Sequence, residues 1–345
     1  MSLTTSFTDS ALRASSVAFV PGDVGRGLEM AFDVAAWASL AFGAGVLVYV
    51  VASFALMRAH TAGRPFRSTL RAALTESGWA ILTQPLLPLW YVLGRRMGGP
   101  RGRGHGVPVV FVHGYFQNRV CFLGLARALQ RRRAVPLYGF NYPWTDLVDR
   151  NAARLARFVE QVCVECDVPQ VDLVCHSLGG VVAVDYVHEA GAARVRRLVT
   201  IASPHAGVAW RGPIPGTIGT QLRRGCAYLR DREGRRIAIP CLSIYSTHDN
   251  VVHPPLTSAL TSRGGRDFMV DDVGHLSILF SPRVHDEVIG FLDAATPTTD
   301  AGSLPPLAGS HGERRTLPPT PPSELGGRAD GESGAWRDVA PGGRR

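Results

Sequence analysis

Ser177, Asp249 and His275 are the residues of this sequence whose types and order could transfer an acyl group. Ser177 stands in "VDLVCHSLGG", Asp249 in "THDNVVHP" and His275 in "GHLSILFS". A serine hydroxyl attacks a carbonyl carbon when a base removes its proton, and an imidazole serves as that base when a carboxylate orients it and stabilises its cation. The negative charge that develops on the carbonyl oxygen then needs backbone N–H groups aimed at it. "VVFVHGYFQN" offers the amide of Tyr115, because glycine at 114 lets the chain turn, and the amide of Leu178 directly follows the serine. His113, Gly114 and His176 are the remaining candidates for contact with a substrate.

Positioning these groups calls for strands that end on one side of a sheet. Between about Val107 and Ala295, short apolar runs alternate with amphipathic stretches. "VPVVFVHG" precedes a helical pattern from Arg119 to Arg131, and "AVPLYGFNY" precedes a long one from Asp146 to about Cys166. "QVDLVCHS" leads into a helix from Leu178 to Ala190, and "VRRLVTIAS", "IPCLSIYS" and "RDFMVDDVG" come before a last helix from Pro282 to Ala294. Continuously apolar strands separated by helices predict an α/β fold with a mostly parallel sheet covered on both faces. In such sheets the chemistry collects beyond the carboxyl ends of the strands, where every candidate above falls. A sharp turn from strand into helix at the serine requires small residues two before and two after it, here Cys175 and Gly179. It places the hydroxyl at a helix N-terminus, where the dipole favours negative charge. The pattern is C-x-S-x-G, with cysteine where glycine is usual.

Each member also has a plainer reading: Ser177 as a helix N-cap, Asp249 as the start of an Asp-Asn turn, His275 as a structural histidine. His113, His176, His205, His248 and His253 are rival bases, and Asp271 and Asp272 rival acids. Chain order selects among them. Serine, then acid, then histidine is the expected order on this kind of sheet. His275 follows the last strand, whereas Asp271 and Asp272 lie too near it and on the wrong strand.

"VVFVHGYFQNR", "VDLVCHSLGGVVAVDYV", "VRRLVTIASPHAGV", "YSTHDNVV" and "VGHLSILFSPRV" together resemble the bacterial lipase and esterase branch of the α/β-hydrolases, triacylglycerol lipase-like enzymes, and the related lipase-like inositol deacylases. The resemblance spans about residues 107–294. It implies an α/β-hydrolase fold and hydrolysis of lipid-type carboxylic esters by Ser177, Asp249 and His275, without a cofactor. Some relatives carry a structural calcium, for which the sequence assigns no ligands. "SPHAG", Ser203 to Gly207, looks like the family's Thr-Pro-His-x-Gly segment near the active site, with Ser203 in place of threonine. The same triad would serve an acyltransferase or thioesterase, which differ only in what resolves the acyl-enzyme. A chain with an idle triad would be a scaffold whose tail, "LPPTPPSE", recruits partners.

Ahead of this region, "VAAWASLAFGAGVLVYVVASFALM", Val34 to Met57, carries no charge. At about 1.5 Å per residue it exceeds the roughly 30 Å hydrocarbon core of a bilayer, so 34–57 is expected to be a transmembrane helix. It lies too far along, and lacks the basic leader, for a simple secretory signal. Asp23, Arg26, Glu29 and Asp33 precede it and Arg58, Arg64, Arg67 and Arg71 follow it. The positive-inside rule therefore places the catalytic domain, 105–295, on the cytoplasmic side, and the bacterial resemblance makes the membrane an inner one. Residues 1–33 form an N-terminal segment and 58–104 an amphipathic, membrane-interfacial connector. Within the connector "WAILTQPLLPLWYVLG", Trp79 to Gly94, carries Gln84, Pro85 and Pro88 and is expected to be interfacial or re-entrant; if it spans, the topology reverses. Because the triad lies beyond residue 100, residues 1–100 are expected to be dispensable unless that stretch belongs to the substrate site.

With 46% apolar residues in a chain of 345, a sizeable core is assured. The sequence has no lysine, so all 37 basic residues are arginine, and the net charge is +9. The arginines are scattered over loops and helix ends rather than gathered on a nucleic-acid module, so a membrane and an acyl-ester substrate, not nucleic acid, are the expected partners. The 6 cysteines fall in apolar or helical patterns and read as buried free thiols; Cys163 and Cys166 lack the second pair of a zinc site. In the irregular insertion 208–239, Ile214, Ile218, Leu222, Cys226 and Leu229 recur at near-helical spacing. That fits a small lid over an acyl pocket or a crossover helix packed on the sheet. Residues 296–345, rich in Pro, Gly, Ser and charge, are expected to be disordered.

Overall fold

The computed structural model of the chain describes residues 21–61, 65–91, 95–101, 103–210 and 212–294; the start of the N-terminal segment and the tail 296–345 lie outside them. Helix α1, Pro21–His60, is longer than the apolar run that predicts it. Its Met30–His60 portion is, among the described residues, the one helix long and apolar enough to cross a membrane. Phe32, Trp37, Leu40, Leu47 and Val48 are exposed along it. Nearer its end Val50, Phe54 and Met57, spaced to share one face, are buried against Ala72 of the next helix.

Helix α2, Phe66–Thr83, turns a polar face inward. Thr69, Glu76, Ser77 and Thr83 are buried, while Phe66, Leu70 and Leu74 are exposed. A tighter helical segment, Gln84–Tyr91, continues it, as two prolines without N–H donors would require. The stretch that begins at Trp79 therefore packs on the domain instead of forming a spanning helix. Trp79 stacks on Phe280 at 3.9 Å between ring centroids, and the carbonyl of Leu87 accepts from Nδ2 of Asn118 at 2.9 Å.

The domain that follows alternates strand and helix. Its first half comprises β1 (Arg96–Gly98), β2 (Val109–Val112), α3 (Leu123–Arg132), β3 (Leu137–Phe140), α4 (Val148–Cys166), β4 (Val171–His176) and α5 (Leu178–Tyr186). The second half comprises β5 (Val195–Ile201), α6 (Gly219–Leu222), α7 (Ala227–Arg230), β6 (Cys241–Ser246), β7 (Arg266–Val270) and α8 (Pro282–Asp293). The strands form one 7-stranded sheet in the order β1-β3-β2-β4-β5-β6-β7. All pairs are parallel except the edge strand β1, which runs antiparallel to β3. β1 is too short and too polar to be read from sequence as a strand.

Alternation along each strand fills a core on both faces. Val110 and Val112 of β2 join Leu155 and Val159 of α4 and Val182 of α5. Val109 and Phe111 join Leu125 and Leu129 of α3 and Val284 and Val288 of α8. All the cysteines are free, and all but the half-buried Cys226 are buried. The insertion is not the single helix that its apolar spacing suggests. Gly225, at φ +75°, lies between the short α6 and α7, which still bury Leu222 and Leu229 with Ile218 in the core on the α4 and α5 side.

Candidate active site

β4 ends in Ser177, whose backbone is held at φ 52° and ψ −124°, a conformation an L-residue adopts only when its surroundings impose it. The imposition comes from crowding on either side of the turn. A Cβ on Gly179 would lie 2.2 Å from the carbonyl oxygen of Val112, and one on Gly114 would lie 2.8 Å from Cβ of Ser177. Cys175, buried in the sheet between Val112 and Thr200, fits the position where glycine is usual.

The three candidate residues, far apart in the chain, meet at the carboxyl end of the sheet. Oγ of Ser177 lies 2.9 Å from Nε2 of His275. Nδ1 of His275 lies 2.9 Å from Oδ2 of Asp249 and 3.1 Å from its Oδ1. Asp249 is itself fixed, since its Oδ1 accepts the backbone N–H groups of Val251 (2.9 Å) and Val252 (2.7 Å). All three are buried. Burial alone would push the His275 imidazole down, but the charge and hydrogen bond of Asp249, with the carboxylate of Glu76 behind them, outweigh it and hold the pKa above the ordinary value.

The backbone N–H groups of Tyr115 and Leu178 donate to no other group among the described residues. Tyr115 and Leu178 line the same cavity as Ser177. The Tyr115 hydroxyl donates to the carbonyl of Pro215 at 2.8 Å, tying this loop to the insertion.

His113 and His176, expected at the substrate, are buried; neither lines the cavity that Ser177 lines, and His113 lines a second one. His113 stacks on Tyr142 at 4.4 Å, and its Nδ1–H donates to the carbonyl of Gly114 at 2.9 Å. Burial pushes it down to about 4, so it is neutral. Nε2–H of His176 donates to the carbonyl of His275 at 2.9 Å, and its Nδ1 lies 2.8 Å from Oε1 of Gln117. The rivals lie elsewhere. Nε2 of His205 is 3.1 Å from Oγ1 of Thr200, and His248 reaches Ser68 of α2. His253 pairs with His60 of α1 at 3.3 Å between Nδ1 atoms. Asp271 accepts from the Thr247 hydroxyl, and Asp272 lies 3.9 Å from Arg71.

Ser177 opens onto a cavity of about 480 Å³. Tyr49, Ala52 and Leu56 of α1 form part of its lining, and Trp210, Ile214 and Leu222 of the insertion form another part. A second, more polar cavity of about 690 Å³ lies against His113, Gln117, Asn141 and Trp144. Among the described residues no group of three or more His, Cys, Asp or Glu side chains is arranged to hold a metal ion.

Sequence reasoning missed the residues that hold the histidine loop. The N–H of His275 donates to Oδ1 of Asn250 at 2.9 Å, and Nδ2 of Asn250 donates to Oγ of Ser53 at 2.8 Å. Glu76 accepts from the two amides after His275. Two helices ahead of the sheet thus hold residues of the candidate site, whose contacts do not lie wholly beyond residue 100. Asn250, directly after Asp249, was open to inspection; Glu76 had one signal, as the sole acidic residue between Asp33 and Asp146.

Residues 109–238 match the family model described as the Alpha/beta hydrolase family. Among solved structures, Aspergillus fumigatus lipase B is 16% identical with a TM-score of 0.49, over 56% of this chain and 54% of that one. This chain thus spans about half the length of that lipase. Bacillus licheniformis lipase BlEst2 in mature form is 17% identical with a TM-score of 0.48, over 56% of this chain and 95% of that one. The esterase EaEST from Exiguobacterium antarcticum is 18% identical with a TM-score of 0.45, over 55% and 93%. The family match begins at β2, and the same alternation of parallel strand and helix runs on to β7 and α8, the arrangement of an α/β-hydrolase fold.

Proposed function

We propose that this protein is a membrane-anchored serine hydrolase that cleaves carboxylic esters of acyl lipids through an acyl-enzyme on Ser177. The observation that carries the reading is the unbroken path from Oγ of Ser177 through His275 to Asp249, each step at 2.9 Å, at the edge of an apolar cavity. In the forward step His275 takes the serine proton as Oγ bonds to the ester carbonyl carbon. The amides of Tyr115 and Leu178 receive the oxyanion. The tetrahedral adduct collapses, the ester C–O bond breaks, and His275 returns its proton to the leaving alcohol. Water then attacks the acyl-enzyme with His275 as base, releasing the acid and restoring the serine.

The substrate class follows from what lines the cavity. Tyr49, Ala52 and Leu56 belong to the same helix whose earlier turns expose Phe32, Trp37 and Leu40. The exposed stripe of Phe66, Leu70 and Leu74 on α2 suits a helix lying in the interface. An acyl chain in the bilayer would thus meet one continuous apolar surface leading to Ser177. The arginines that follow the apolar run favour a catalytic domain on the cytoplasmic side.

The test is labelling of the full-length chain with a fluorophosphonate, which reacts only with an activated serine. Labelling that disappears in Ser177→Ala and His275→Ala is the expected result. A folded wild type that does not label excludes the reading.

A further inference from the structure

Glu76 takes no part in the steps above, yet it is buried beside the histidine that performs them. Oε1 accepts the N–H of Leu276 at 2.8 Å and Oε2 accepts the N–H of Ser277 at 2.7 Å. These are the two residues that follow His275. On the other side of His275, a Cβ on Gly274 would stand 2.6 Å from Oε2 of Glu76, so the carboxylate also abuts the preceding residue.

Both oxygens accept a backbone N–H, and hydrogen bonds of that kind favour the charged form. The geometry therefore fits the carboxylate. Burial holds the Glu76 pKa above the ordinary carboxylate value, although the hydrogen bonds from the backbone N–H groups of Leu276 and Ser277, that from the Ser277 hydroxyl and the neighbouring imidazole act against it. A carboxylate is otherwise an unfavourable group to bury on a helix whose inner face only has to pack.

We propose that Glu76 is a positioning residue of the active site: from α2, outside the sheet, it clamps the backbone around His275 and sets negative charge behind the imidazolium formed when Ser177 loses its proton. The proposal rests on the hydrolase reading above. The titratable groups facing His275 are Asp249 from the loop after β6, His176 from β4 at 4.8 Å between ring centroids, and Glu76 from α2. Farther out, His253 and His60 lie beyond Asp249, His113 lies beyond His176, and Tyr49 of α1 faces both carboxylates.

The test is the rate at which a fluorophosphonate labels Ser177 in the full-length chain in detergent micelles, followed from about pH 5 to about pH 9, across the imidazole range. Wild-type labelling rises with pH as His275 loses its proton. Glu76→Gln removes a negative charge from the imidazolium's surroundings, so the rise is expected at lower pH, with a plateau about tenfold lower. Glu76→Asp keeps the charge and shortens the reach, so its midpoint stays while its plateau falls severalfold. A folded Glu76→Gln chain whose midpoint does not move overturns the proposal, even if it melts at a lower temperature, because that is what a merely structural role would do. Should Glu76→Gln fail to fold, Glu76→Asp decides: a wild-type plateau overturns the proposal, and a lowered plateau at an unmoved midpoint supports it. A folded wild type that does not label at any pH overturns the hydrolase reading itself, a result distinct from the others.

Discussion

Ser53, on the apolar helix α1, accepts a hydrogen bond at 2.8 Å from Asn250, whose own oxygen holds the backbone N–H of His275 at 2.9 Å. The position of the proposed general base thus depends on a side chain in the proposed anchor. Asn250→Ala would strand a buried N–H at a cost of about 1–3 kcal/mol. Turnover of a p-nitrophenyl ester is expected to fall by at least about tenfold, because small displacements of a base cost rate steeply. Ser53→Ala leaves the His275 bond in place and should cost only a fraction of that. Equal losses in the two variants would contradict this assignment.

The pH dependence follows from the direction of the His275 shift. Only the neutral imidazole can accept the serine proton, and Asp249 and Glu76 hold its pKa above the ordinary 6.5 against the effect of burial. Turnover should therefore be lost as pH falls through a midpoint above that value. Asp249→Asn removes the carboxylate that acts more strongly on His275, so its midpoint should lie lower, with a plateau reduced by about 10⁴, the scale seen when such a carboxylate is neutralised. A rate profile for each chain checks both statements.

The parallel sheet was legible because its central strands are buried on both faces and read as continuous apolar runs, from Val109–Val112 to Cys241–Ser246. Ser177, Asp249 and His275 were legible because each follows a strand in an order the fold dictates. His113 and His176 sit in the same motifs, but whether a histidine faces a substrate or a carbonyl depends on contacts such as Tyr142 and Gln117, which no local pattern encodes. Glu76 was illegible for another reason. Its partners lie about two hundred positions along the chain, and no local pattern links a carboxylate on α2 to the loop after β7.

The cavity makes a prediction about chain length. Leu56→Trp adds bulk to the α1 part of the lining, where an acyl tail would lie, while Ser177 and its partners are untouched. Turnover of a long-chain ester should fall about tenfold or more while that of an acetate ester changes little, since the loss is confined to contacts made by the tail. Parallel assays on the two esters decide it. Equal losses on both would mean that this helix does not bound the acyl site.

Deleting residues 1–100 is expected to abolish esterase activity, although the proposed catalytic residues all survive the deletion. The truncated chain lacks Glu76, which holds the amides of Leu276 and Ser277, and Ser53, which holds Asn250. It also lacks Tyr49, Ala52 and Leu56 from the cavity lining and Trp79 from its stack on Phe280. The buried loop after β7 would then carry N–H groups with no acceptor, a state that folded proteins avoid. Deleting residues 1–29 removes none of these contacts and should leave turnover intact in detergent. Comparing the two truncations by ester turnover and circular dichroism separates loss of fold from loss of the site. A folded, fully active 101–345 chain would show that the helices are an anchor alone.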